Sequence, residues 1–129
     1  MAQVKVYGIA ERLLPVRDAL SDVIHDCVVE ALQFPRDKRA HRFFPMDAEN
    51  VRRPDGRTDA YTIIEITMIE GRTVEARKKL VRLLFDRIHE RIGIEPRDVE
   101  ICIQEVPASD WGFRGMHGDE IRLDYKIDI

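Results

Sequence analysis

Ala2-Gln3-Val4-Lys5-Val6-Tyr7 and, 60 positions later, Thr62-Ile63-Ile64-Glu65-Ile66-Thr67 are the two stretches whose reading decides the fold. Val4 and Val6 alternate with polar neighbours, and the second stretch is rich in β-branched residues; both are strand signatures. The same offset extends outward. Arg12 falls on Arg72, and Leu20, Ile24, Val28 and Leu32 fall on Leu80, Leu84, Ile88 and Ile92. With Gly93 taken as one inserted residue, Pro35-Arg36-Asp37 falls on Pro96-Arg97-Asp98. Apolar matches alone are cheap, since any two amphipathic helices share them. A matching Arg and a matching Pro-Arg-Asp are not, and they mark an internal duplication.

Each half reads as strand, helix, strand. In the first, Ala2 to Tyr7 is a strand and Pro15 suits the first turn of a helix, where its missing N–H is no loss. Leu20, Val23, Ile24, Cys27, Val28, Ala31 and Leu32 form a helical stripe that Pro35 stops, and Arg42 to Met46 is a second strand. In the second, Tyr61 to Ile69 is a strand broken by Gly71, and Thr73 is an N-cap. Leu80, Leu84, Phe85, Ile88 and Ile92 form the stripe, Gly93 is the C-terminal stop, and Val99, Ile101 and Ile103 alternate as the closing strand. Asn50 to Asp59 is the connection.

Strand–helix–strand units of this length favour parallel pairing with a right-handed crossover. The expected fold class is α+β: two pseudo-symmetric βαβ units, 2–46 and 61–104, forming a four-stranded sheet with two helices on one face, followed by a segment 105–129. The uncovered face, with Ile63, Thr67 and Ile69, is too apolar to leave in water and predicts association between subunits.

Composition narrows the function classes. A chain of 129 residues suits one domain. With 21 Lys and Arg against 24 acids the net charge is −3, which argues against a nucleic-acid binder. The basic runs at Arg36 to Arg42, Arg52-Arg53 and Arg77 to Lys79 read as solvated faces or, functionally, as a pocket for a small anion. No stretch approaches the roughly 18 uninterrupted apolar residues of a membrane helix, and no secretory signal opens the chain, so cytosol is the default address. Cys27 and Cys102 read as buried reduced thiols, and His117-Gly118-Asp119-Glu120 as a polar turn rather than a metal site.

Glu70-Gly71-Arg72-Thr73, the helix to Gly93, Val99-Glu100-Ile101-Cys102-Ile103 and Trp111-Gly112-Phe113-Arg114-Gly115 together resemble a 4-oxalocrotonate tautomerase subunit. Two such units in one chain resemble the longer members of the tautomerase superfamily, malonate semialdehyde decarboxylase and macrophage migration inhibitory factor among them. The resemblance runs from Ala2 to about Gly115. It implies a homotrimer with sites built between repeats at the amino-terminal ends of the first strands. The family's catalytic proline is absent: Ala2 stands in its place once Met1 is removed, and Thr62 fills the equivalent place mid-chain. Carried across, Arg12 and Arg72 match the arginine that holds a substrate carboxylate. Arg42 matches an arginine on the second strand, with Glu100 in its place in the second half, and Trp111, with Phe113 near it, matches the aromatic wall. Lys38 aligns with the decarboxylase's catalytic Asp, which disfavours decarboxylation.

This resemblance implies proton transfer next to a carbonyl. A base for that work should titrate near the operating pH, and an α-amino group does so at about 7.7–8.0. Ala2 as a free amine, with Arg12 and Arg42 as partners and Arg72, Trp111 and Phe113 lining the substrate, makes a cofactor-independent tautomerase of a small carboxylated keto–enol compound. The alternative is a catalytically silent trimer of the same fold that binds a small anion or a protein. In that case Ala2 is an inert strand residue and the arginines pair with acids such as Glu11 and Glu70.

Overall fold

A computed structural model describes residues 2–121. The chain runs β1 (Ala2–Ile9), α1 (Ala10–Leu13), α2 (Arg17–Leu32), β2 (His41–Met46), β3 (Thr62–Ile69), α3 (Val74–Ile92) and β4 (Val99–Val106). A small hairpin of β5 (Gly112–Phe113) and β6 (Met116–His117) follows. The four long strands form one sheet in the order β2-β1-β3-β4. β1 pairs β2 and β3 pairs β4 in parallel, while β1 and β3 meet antiparallel at the centre. Each parallel pair closes one βαβ unit, and the α+β architecture expected from the sequence is the one observed.

β1 and β3 carry the same burial pattern, residue for residue. In their antiparallel register Lys5 opposes Glu65, Val4 opposes Ile66 and Ala2 opposes Met68. Lys5 and Glu65 are themselves 60 apart, so the pseudo-twofold that exchanges the halves passes between them. Ala2, Val4 and Val6 on β1 and Ile64, Ile66 and Met68 on β3 all point to the helix side. There they join Leu20, Ile24 and Leu32 of α2 and Leu80, Leu84 and Ile88 of α3 in a single core. Each of the Val, Leu, Ile and Met side chains among them contributes roughly 1.5–3 kcal/mol by leaving water. Ion pairs Arg87–Glu30 (2.8 Å) and Arg91–Asp26 (2.9 Å) tie α3 to α2 above it.

The two halves differ at the helix starts and ends. Pro15 lies in a 3₁₀ turn, Leu14–Val16, that separates α1 from α2. Lacking an N–H and crowding the preceding turn, it cannot sit inside one continuous helix. α3 has no such residue and is unbroken, with Thr73 Oγ1 accepting the Ala76 N–H as the expected N-cap. At the other end Gly93 caps α3 with φ of 84°, and its counterpart is Gln33, which caps α2 with φ of 50°. Gly93 is therefore in register with Gln33, and the extra residue comes after the cap. α2 ends on Gln33, two residues before Pro35. Within the second Pro-Arg-Asp, Asp98 is buried. Burial pushes its carboxyl up, but hydrogen bonds from the Thr58 N–H (2.7 Å) and hydroxyl (2.6 Å) outweigh it and hold the group below the ordinary Asp value. Asp98 thereby pins the connection between the halves.

The duplication also reaches further than 2–46 and 61–104. A 3₁₀ turn at Ala48–Asn50 follows β2, and one at Ala108–Asp110 follows β4. They end on Val51 and Trp111 with nearly the same dihedrals. On the open sheet face Ile63 is half-buried and Phe44 is exposed, with the Tyr7 ring stacked on Phe44 at 4.8 Å. Ile69, which the sequence assigns to that face, is fully buried within the chain at the end of β3, where Arg72 Nη1 also donates to its carbonyl. Among the described residues no helix is long and apolar enough to cross a membrane.

Thr73→Ala removes the N-cap acceptor and is expected to cost about 1 kcal/mol of unfolding free energy, measured by urea denaturation. Thr73→Ser is expected to retain most of it.

Candidate active site

The pseudo-twofold gives the β1–β3 pair two equivalent ends. At one, Ala2 lies beside Met68, and the chain leaving β3 continues to Arg72. At the other, Thr62 lies beside Gly8, and the chain leaving β1 continues to Arg12. Ala2 and Arg12 share a half of the sequence but not an end of the sheet. An eight-residue strand separates them, roughly 25 Å at about 3.3 Å per residue. Within one chain the expected pairing of Ala2 with Arg12 is therefore not formed, and the arginine at Ala2's end is Arg72.

A cleft of about 240 Å³ opens at this end, lined by Gln3, Thr67, Val106, Asp110, Trp111 and Gly112. Trp111 is buried and held by its backbone: its N–H donates to Ala108 O at 3.2 Å, and its carbonyl accepts from Gly118 N at 2.6 Å. Gly118 is required at that crossing, since a Cβ there would meet Ala108 O at 2.6 Å. The turn that the sequence marked at 117–120 thus seats the aromatic wall, with His117 Nδ1 2.9 Å from Ser109 O. Phe113 lies one step beyond in β5, with the Arg114 guanidinium 5.6 Å above its ring, and does not line the cleft.

Arg42 is exposed on β2 opposite Lys5, and its Nη2 donates to Gln3 Oε1 at 3.2 Å, which brings it toward Ala2. The parallel registers also settle its counterpart. Lys5 opposes Arg42 and Glu65 opposes Cys102, so Cys102 and not Glu100 occupies the equivalent place. On the open sheet face Cys102 is exposed, not buried as expected, while Cys27 is buried on α2. Glu100 is one turn of the pleat away, 3.8 Å from Arg57. His41 precedes Arg42 and faces the helices. Its Nδ1 is 2.8 Å from Ser21 Oγ, and burial, then Arg39 and His25, push its pKa down to about 4.

The two candidate carboxylate-binding arginines are differently placed. Arg12 is half-exposed and ion-paired with Asp59. Arg72 is buried, with Nη1 donating to Ile69 O at 3.1 Å. Sequence reasoning missed Gln3, Thr67 and Asp110. The signal that reaches Asp110 is the 60-residue offset itself, continued from Asn50.

Known proteins resemble the chain in sequence and in fold. A profile described as tautomerase enzyme matches residues 38–114. The probable tautomerase YrdN of Bacillus subtilis is 31% identical over 99 residues, covering 73% of this chain and 76% of that one. The 2-hydroxymuconate tautomerase of Pseudomonas putida is 35% identical over 57 residues, 44% of this chain and 90% of the relative. Among solved structures, a fused 4-OT described as an asymmetric trimer superposes with a TM-score of 0.81 at 19% identity, covering 92% of this chain and 97% of that chain.

His41 gives the strand that carries Arg42 a pH dependence. Its folded value of about 4 lies below the ordinary 6.5, so the unfolded chain binds the proton more readily. Stability is complete above about pH 6.5 and is expected to fall as pH drops through that value toward about 4. Urea denaturation across this range should show the slope, and His41→Asn should flatten it.

Proposed function

Because the chain belongs to the tautomerase family, we propose that it is a cofactor-independent tautomerase of a small carboxylated keto–enol compound, with the Ala2 amine as general base. The observation that carries the reading is the cleft at Ala2's end of the sheet, walled by Trp111, with Arg42 donating to its lining residue Gln3 and Arg72 following the neighbouring strand. Met1 lies outside the described residues. A small second residue permits its removal, which would free the amine of Ala2.

An α-amino group titrates at about 7.7–8.0. Partial desolvation beside Trp111 and the positive charges of Arg72 and Arg42 disfavour the ammonium form and bring that value nearer neutrality. The neutral amine takes a proton from the carbon or hydroxyl next to the carbonyl and returns it at the other end of the enol system. Arg72 grips the substrate carboxylate, and Arg42 stabilises the oxygen on which negative charge develops. Trp111 supplies an apolar wall that excludes water from the reacting face. Arg12, at the far end of β1 and paired with Asp59, has no part in this site.

A homotrimer is the proposed assembly. The fused 4-OT neighbour is an asymmetric trimer, and three-fold closure would cover apolar surface on the open face such as Phe44 while leaving the clefts at its two ends open. The name of the Pseudomonas relative, 2-hydroxymuconate tautomerase, supports a 2-hydroxy dienoic acid as the substrate class.

Ketonisation of an arylenolpyruvate, with and without acetylation of the amino terminus, tests the reading. Acetylation is expected to abolish the rate. Arg42→Ala is expected to lower kcat/KM by about 10²-fold, the usual loss of one charge-stabilising donor, while Arg12→Ala stays within twofold. No activity above buffer from a protein shown by mass to lack Met1 would overturn it in favour of a silent, anion-binding trimer.

A further inference from the structure

The pseudo-twofold copies the Trp111 cleft to the Thr62 end, and the copy is larger. This second cleft, of about 300 Å³, is lined by Tyr7, Gly8, Met46, Asn50, Val51, Arg52, Tyr61, Ile63 and Glu65. Moved by 60 residues, each residue of the Trp111 cleft lands on one of these: Gln3 on Ile63, Thr67 on Tyr7, Val106 on Met46, Asp110 on Asn50, Trp111 on Val51 and Gly112 on Arg52. Thr62 is mid-chain and offers no amine, so the chemistry proposed for Ala2 cannot run here. The cleft has nonetheless kept its shape.

Its chemistry has changed in a consistent direction. Two polar walls, Gln3 and Thr67, are replaced by Ile63 and Tyr7, and Tyr61 adds a second ring. An acid, Asp110, becomes the neutral Asn50, and a glycine becomes Arg52, so those two exchanges shift the local charge by two units toward positive. The Arg52 guanidinium is exposed; its Nη1 donates to Glu49 O (2.8 Å) and Val51 O (3.4 Å), contacts that neutralise no charge. One acid lines the cleft. Glu65 sits near enough to Tyr7 to raise its phenol pKa, and it opposes Lys5 across the strand pair. Tyr61 is buried, and that burial, with Glu100 nearby, raises its phenol pKa; its ring is part of the wall.

We propose that the Tyr7–Tyr61 cleft is a second, non-catalytic binding site for an aromatic carboxylate. The ring lies among Tyr7, Tyr61, Met46 and Ile63, the carboxylate takes the guanidinium of Arg52, and a ring hydroxyl donates to Glu65. Arg52, Asn50 and Tyr7 distinguish this end of the sheet from the other and set its preference for an aromatic anion. Both clefts open on the same sheet face, so the assembly that completes one completes the other.

The probe is 4-hydroxybenzoate, titrated calorimetrically into the intact assembled protein while the emission of Trp111, the sole tryptophan, is followed. Binding is expected to produce heat without a change in Trp111 emission, since that ring lines the other cleft. Arg52→Ala and Asn50→Asp, each checked for fold and assembly by circular dichroism and sedimentation, are expected to weaken binding at least tenfold. Neither should alter ketonisation. Affinity within twofold of wild type in both variants, binding that tracks Trp111 emission, or no heat at millimolar probe would each overturn the proposal. Absence of ketonisation leaves the result untouched, because the amine and Trp111 lie at the opposite end.

Discussion

The antiparallel pairing of β1 with β3 is the constraint from which the rest follows. Each βαβ unit alone would be a two-stranded parallel ribbon with one helix, too small a core to stand in water. Joined about Lys5 and Glu65, the two ribbons form one sheet broad enough for α2 and α3 to share a face and bury it. The direction of the pairing matters as much as its existence. An antiparallel join carries the amino end of each first strand to the carboxyl end of its partner, so the loop after β3, not the loop after β1, supplies the side chains beside Ala2.

That rule explains which parts of the structure were legible in the sequence. Element type, the sheet of four strands and the caps at Thr73 and Gly93 follow from periodicity and from residues with strong local preferences. The duplication was visible because Arg12 and Arg72, and the two Pro-Arg-Asp triplets, are not forced by a helical stripe. Which arginine serves which end was not visible. It depends on the sense of the β1–β3 pairing, and no residue pattern within either strand encodes it. The register of Arg42 with Cys102 was hidden for a similar reason: β2 and β4 are fixed by hydrogen bonds to their neighbours, and no residue between the helices and these strands marks where the extra residue of the second half lies. The αL cap at Gln33 was obscured because Pro35 two residues later is a stronger stop signal.

The two ends of the sheet also show how unevenly a duplicated scaffold can be used. Backbone features are held in common: equal strands with equal burial, matching 3₁₀ turns after β2 and β4, and matching clefts. Side chains that only line the clefts diverge, Trp111 against Val51 and Gly112 against Arg52. The shared features are those on which the core depends, and the divergent ones lie on the surface it supports.

The connection held by Asp98 has a consequence for how the sheet comes together. Two separate βαβ chains would have to meet by diffusion, and their pairing would dissolve on dilution. Covalent linkage turns that encounter into loop closure, with an effective concentration in the millimolar range for a short flexible tether. Thr58, fastened to Asp98, shortens the tether further. The central strand pair of this protein is thereby independent of how much of it a cell makes, and only the contacts between whole chains remain subject to dilution.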